Sequence, residues 1–205
     1  LPLSIFARGD TFYLHEGPGS ARYQTFDHDR IKCLAEAGVK EVRIGVETGT
    51  DRMRNEIHKK QCTTKQLEET FHYMQKYDIN TIAYNMLGGP TETPSEMLET
   101  FKLNWKLKPN KPIFFVYQQL AHDTQLSQVG NYDLSPDAIS EDIFNSDDSK
   151  RSDEDQSTIQ FGEPIESKTF SKHFVVYFQL FCYFFFVGRR VVKMIFKQRL
   201  RFFTN

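Results

Sequence analysis

The chain has 205 residues, a length for one domain with at most an appendage. Its net charge of −1 gives no pull toward nucleic acid, although an acidic middle and a basic, phenylalanine-rich C-terminus divide the charge unevenly. Three cysteines, Cys33, Cys62 and Cys182, make neither a disulfide framework nor a metal-ligand spacing, which favours a reducing, cytoplasmic setting. The first residue is Leu1, without a basic-then-apolar leader, and the chain reads as a piece whose beginning is missing.

Leu3 to Arg8 reads as a strand, followed by a loop rich in Gly, Pro and Asp to about Thr25. Asp27 caps a helix with Ile31, Leu34 and Ala35 on one face, and Gly38 ends it in the left-handed region. Glu41 to Glu47 is a second strand, closed by Thr48-Gly49. A short helix begins near Asp51 and leads to His58-Lys59-Lys60. Thr63 and Gln66 form a capping box opening a helix with the apolar face Leu67, Phe71 and Met74.

Thr81 to Leu87 is apolar enough for a buried strand, and Gly88-Gly89-Pro90 stops it. Thr93-Pro94-Ser95-Glu96 is a second capping box with proline at the first helical position. Its helix is expected to bury Met97, Leu98, Phe101 and Trp105 and to stop before Pro109. Pro112 to Gln119 is the last strand.

The order β, α-β, α-β, α-β, at roughly 30–40 residues per unit, predicts parallel strands joined by crossover helices. Four such strands form an open α/β sheet, half of a (β/α) barrel and too few to close one. The partial barrel covers 1–129, an acidic flexible linker 130–166, and a basic, aromatic amphipathic helix 167–205. The helix carries a 14-residue apolar run, Phe174 to Val187, broken only by Gln179 and followed by Arg and Lys. Three readings stand for it: packing over the barrel, contact with a membrane surface through 174–203, and a membrane span, for which the run is short.

Ligands of α/β folds sit beyond the carboxyl ends of the strands, which singles out two turns. Glu47 puts a carboxylate at the end of one strand, sharing a face with Arg43 and Gly45. It serves a ligand or a salt bridge to Arg43 or a loop lysine, and spacing alone leaves both open. The lysine pair after His58 can swing over the same strand ends or merely solvate a helix terminus. Gly88-Gly89-Pro90 admits a ligand against bare backbone or is only a tight turn, with Asn85 and Glu92 beside it.

Two stretches, R-I-G-V-E-T-G-T-D-R-M and, past the lysine pair, Y-N-M-L-G-G-P-T-E-T-P-S-E-M-L-E-T, resemble the C-terminal half of a radical S-adenosylmethionine (SAM) enzyme barrel. The subgroup that often carries a cobalamin-binding domain ahead of the barrel is the most similar, and the resemblance covers roughly residues 1–129. It implies that Glu47 contacts the SAM ribose or methionyl group, with Thr48 and Gly49 shaping the turn. It implies that Lys59 pairs with the SAM carboxylate, and that Asn85, Met86, Gly88, Gly89 and Pro90 support the adenine. The loop expected after the last strand keeps only Thr124 of the family's pattern. Catalytic residues are not assigned.

The resemblance also implies a 4Fe-4S iron–sulfur cluster in the intact enzyme, but Cys33 and Cys62 lie 29 positions apart, so the cluster-binding cysteine triplet is missing. The expected function is therefore a contribution to a barrel that reductively cleaves SAM to modify an organic, small-molecule or lipid-like substrate. Cobalamin-dependent methyl transfer is one branch of that chemistry. The competing expectation is a non-catalytic α/β module tethered to a membrane surface by its last helix.

Overall fold

The computed structural model describes residues 3–14, 25–117 and 170–203. The expected linker, the strand residues beyond Tyr117 and the loop with Thr124 lie outside the described residues.

Strand β1 (Leu3–Arg8) opens the main sheet as expected. Next, β2 (Tyr13–Leu14) and β3 (Thr25–Phe26) pair antiparallel where the sequence suggested only loop, two residues being too few to carry an alternating pattern. The Asp27 carboxylate accepts from the Arg30 amide and starts α1 (His28–Glu36). After β4 (Val39–Glu47) the chain winds through Arg52–Ile57 as a wide π-helical turn, with the His58 amide donating five residues back to the Met53 carbonyl. Both capping boxes form, Thr63–Gln66 on α2 (Thr64–Lys76) and Thr93–Glu96 on α3 (Pro94–Leu107). Strand β5 (Asn80–Leu87) lies between those helices, β6 (Lys111–Val116) follows α3, and α4 (Lys172–Phe203) is the last element.

The main sheet has the order β1-β4-β5-β6, and every neighbouring pair is parallel. It is an open arc of a (β/α) barrel among the described residues. Helices cover one face. Val42, Ile44 and Val46 of β4 and Ala83 of β5 are buried there with Ile31, Leu67, Phe71 and Met74. Each of these side chains larger than Ala83 contributes about 1.5–3 kcal/mol by leaving water. A second cluster joins Leu87, Phe114 and Val116 to Met97 and to Val175, Cys182 and Phe186 of α4. Gln179 donates to the Phe114 carbonyl at 2.7 Å, so α4 lies on the sheet as the outer helix beside α3. Packing is therefore what its inner face does.

Helix α3 corrects one expectation. Met97 is buried, but Leu98 is 41% and Trp105 47% exposed, while Thr100, Leu103, Asn104 and Leu107 turn inward. Asn104 earns its place by exchanging hydrogen bonds with Asn85 at 2.7 and 3.2 Å, and Thr100 accepts from the Gly49 amide at 2.8 Å. Satisfied polar groups took the inner stripe and displaced the larger apolar ones.

The other face of the sheet is open. Phe6, Tyr84 and Phe115 stack across it at 6.2 and 5.8 Å, and the Arg43 guanidinium lies 5.2 Å from the Phe6 ring.

Candidate functional site

Because the four strands run the same way, Arg8, Glu47, Leu87 and Val116 end at one edge, and the Gly88 turn stands beside Glu47 as the spacing suggested. The β4–β5 register shifts between Gly45 and Glu47. There the Thr48 amide donates to the Val46 carbonyl at 2.9 Å, with Glu47 between them at φ 66. A three-residue turn with positive φ on a side-chain-bearing residue is rare and strained by about 1–3 kcal/mol. It folds the Glu47 carboxylate back over the open face, where a Cβ on Gly45 would come within 2.5 Å of Oε1.

Arg54 holds this turn. Its guanidinium is fully buried and donates to the carbonyls on either side of Glu47, those of Val46 and Thr48. It also donates to Asp51 Oδ1 at 2.6 Å, to Thr64 Oγ1 at 3.2 Å and to the Cys62 carbonyl at 3.4 Å. Burial pulls its pKa down and Asp51 opposes that. One arginine in a short turn has no periodic signature, so in the sequence only the Asp three positions earlier hints at Arg54.

Glu47 finds a loop lysine, and it is Lys60, whose Nζ lies 2.9 Å from Oε1. Lys59, the residue the resemblance places beside the ligand, is exposed at φ 53. Gln61 is also at φ 53, so two left-handed residues flank Lys60 and bend the chain back toward the strand ends. The Arg8 guanidinium donates to the Lys60 carbonyl at 2.6 Å and pairs with Asp10. Glu47, Lys60, Arg8 and Asp10, together with Phe6, Arg43 and Tyr84, line a cleft of about 290 Å³.

The glycine turn is differently occupied. Glu92 is fully buried and its Oε2 accepts from the Gly88 and Gly89 amides at 2.6 and 3.0 Å. Burial raises its pKa to about 7 against the pull of those two amides. Gly88 sits at φ 79, and a Cβ there would meet Val175 Cγ1 of α4 at 3.1 Å; one on Gly89 would meet Met53 Cε at 3.2 Å. Pro90 is buried after them. Asn85 is buried on the helix side, donating to Ala83 and Ile113 carbonyls besides its exchange with Asn104. Thr48 is buried, and Gly49 abuts α3 so closely that a Cβ would stand 2.1 Å from Glu99 and Thr100 backbone atoms. Met86, half-buried, pairs with Phe115. Of the expected site residues, only Glu47 lines the cleft; Thr48, Asn85, Gly88, Gly89 and Pro90 are buried away from it, Gly49 abuts α3, and Lys59 faces solvent.

His58 stands against the glycine turn, with its Nε2 3.5 Å from where a Gly89 Cβ would be. That Nε2 is buried without a hydrogen-bond partner among the described residues, and burial lowers the imidazole pKa. Among the described residues no three His, Cys, Asp or Glu side chains gather to hold a metal. Cys62 and Cys182 lie in separate cores, each thiol pushed up to about 12 by burial, while Cys33 is exposed on α1. A cluster needs converging thiolates, and these cysteines do not fit one.

The two turns are tied together. Arg52 Nε and Nη2 reach Glu96 at 2.7 and 2.8 Å, and Nη2 also donates to the Thr91 carbonyl at 3.1 Å. Glu96 is held below the usual carboxylate range, mainly by that Arg52 bond.

Residues 20–103 match the sequence model of the Radical SAM superfamily. No curated protein matches the chain. Among solved structures, the radical SAM methyltransferase TsrM from Kitasatospora setae, determined with cobalamin and a 4Fe-4S cluster bound, is 19% identical at a TM-score of 0.47, over 62% of this chain and 22% of that one. Coproporphyrinogen III oxidase (HemN) from Escherichia coli, a radical SAM enzyme, is 15% identical at 0.49, over 62% and 26%. The cobalamin-dependent radical SAM enzyme OxsB is 20% identical at 0.41, over 50% and 14%. The chain thus spans between 14% and 26% of the length of these structures.

Proposed function

We propose, for a chain whose residues 20–103 match the sequence model of the radical SAM superfamily, that its strands hold SAM in a barrel that reductively cleaves SAM to modify an organic substrate. The observation that carries this reading is the Glu47–Lys60 pair, fixed over the open face at the carboxyl edge of the sheet. SAM presents an ammonium, a carboxylate and ribose hydroxyls. The Glu47 carboxylate accepts from an ammonium or hydroxyl, and Lys60 donates to a carboxylate. Gly45 leaves the volume in which those groups meet.

In the superfamily a 4Fe-4S cluster would supply the electron that splits SAM into methionine and the 5′-deoxyadenosyl radical, and the cysteines of the described residues do not hold that cluster. This chain's residues bind and orient. Arg54 presets the Glu47 turn, so the carboxylate is in place before the ligand arrives. Neutral His58 and the apolar wall behind Gly89 limit water at the glycine turn.

Titration of SAM into the isotope-labelled chain, followed by amide shifts, tests the reading. Shifts are expected at Gly45 and Lys60, and Glu47→Ala should weaken binding by about 1–3 kcal/mol, the worth of a charge-assisted hydrogen bond. Unchanged affinity in a Glu47→Ala variant that melts earlier would reduce this carboxylate to a salt-bridge partner.

A further inference from the structure

Helix α4 has two apolar faces, and the sheet uses one. Val175, Gln179, Cys182 and Phe186 turn inward at helical spacing. On the opposite side Tyr177 is 70%, Phe184 67% and Phe181 51% exposed. The patch continues onto α3. Phe101 packs on Phe185 at 5.0 Å, and Trp105, left half-exposed, meets the same ring at 5.4 Å. Leu98 lies on that outward stripe of α3 as well. A helix that is apolar all round needs a second cover.

Charge says what kind. Between positions 172 and 203 there are seven Lys or Arg and no Asp or Glu. The structure places Arg189 over the exposed Trp105 ring, at 4.2 Å, and Arg189 also lines, with Arg190, Lys108 and Lys111, a hollow of about 480 Å³ that Phe186 and one carboxylate, Glu41, line as well. An aromatic face bordered by cations is the pattern of a surface that sinks into the headgroup region of an anionic bilayer. A tryptophan at the rim fits the same boundary. Length and composition alone would let Lys172–Val192 cross a membrane. Crossing would require stripping Gln179 from Phe114 and exposing the second core cluster, so the helix lies on the surface instead.

We propose that the outward faces of α3 and α4 dock this protein onto anionic membrane surfaces. Phe181 and Phe184 enter the acyl boundary, and the Lys108, Lys111, Arg189 and Arg190 group meets lipid phosphates.

The test is flotation of the full chain with vesicles of phosphatidylcholine, with and without about one-third phosphatidylserine. The lone tryptophan, Trp105, gives a second readout by fluorescence. Binding is expected to need the anionic lipid, to fall at least tenfold between low and high salt, and to shift Trp105 emission to the blue. Removing one cation weakens such partitioning roughly fivefold, so Lys108→Gln with Arg190→Gln should cost about 25-fold. Phe184→Glu should abolish binding without changing the thermal melt, since Phe184 supports nothing inside. Binding that Phe184→Glu leaves intact, or that is equal on neutral vesicles, overturns the proposal. So does self-association that Phe184→Glu disperses while vesicles capture nothing, which would assign the face to a second copy.

Discussion

Lys60 reaches Glu47 across thirteen positions of chain, and the residue it grips sits in the left-handed region at φ 66. Two terms of opposite sign therefore meet in one side chain. The backbone costs about 1–2 kcal/mol for a side-chain-bearing residue there. The half-exposed ion pair returns about 0.2–1 kcal/mol. Glu47→Gly relieves the first and loses the second, whereas Glu47→Ala keeps the strain and loses the pair. Urea unfolding should place Gly above Ala by about 1 kcal/mol, the reverse of the usual order in strands. Equal or inverted stability would mean that the turn is relaxed.

Arg54 is expected to be the most sensitive position outside the apolar core. Arg54→Met removes donors from the carbonyls of Val46, Thr48 and Cys62 and leaves them buried. Breaking a buried charged network by deleting one member costs about 3–5 kcal/mol. Arg54→Lys should rescue little, because one ammonium cannot span acceptors that a planar fork reaches together. Equilibrium denaturation of both variants checks this; a loss below about 1 kcal/mol would show that the guanidinium is dispensable.

Glu92 gives the protein a pH signature. Burial pushes its carboxyl from the ordinary 4.5 up to about 7, so the folded state holds the proton more tightly than the unfolded chain. The associated stability is fully present below the unfolded pKa and is lost as pH rises through the folded pKa. The shift corresponds to a fall on the order of 3 kcal/mol between about pH 5 and 8. Glu92→Gln keeps an oxygen for the Gly88 and Gly89 amides and removes the titration. Urea midpoints measured across that range should slope downward in the natural protein and lie flatter in the variant. Parallel slopes would place the titration elsewhere.

Gly49 tolerates no side chain. A Cβ would stand 2.1 Å from the backbone of Glu99 and Thr100, in the middle of a well-capped helix that cannot yield by rotating a side chain. Gly49→Ala should cost about 1–3 kcal/mol, as overpacking does. It should also break the Gly49–Thr100 hydrogen bond, read as loss of amide protection at Gly49. A variant as stable as the natural protein would show that the loop and α3 separate easily.

Much of this architecture was legible before any coordinates. Capping boxes at Thr63 and Thr93, glycine stops and alternating strands are local signals, and each marked an element that formed. What escaped was decided by partners distant in sequence. Trp105 and Leu98 stay outside because Asn104 and Thr100 have buried partners on β5 and beside Gly49. Neighbouring lysines look alike in a sequence, yet left-handed φ at Lys59 and Gln61 sends only Lys60 to Glu47. The strained turn at Glu47 is imposed by Arg54, a contact no periodicity announces. Gly88 looked like open backbone, but Val175, far along the chain, covers it.

The carboxylate of Glu96 is shared between two tasks: one oxygen completes the capping box with Thr93, and both bind Arg52. Fraying of the first turn of α3 would therefore release Arg52 and loosen the segment after β4 at the same moment. In hydrogen exchange the amides of Thr93, Glu96 and Met53 should then open together as one cooperative unit, with a common free energy below that of global unfolding. A ligand bridging the two turns would slow exchange at all of them, including amides it never touches.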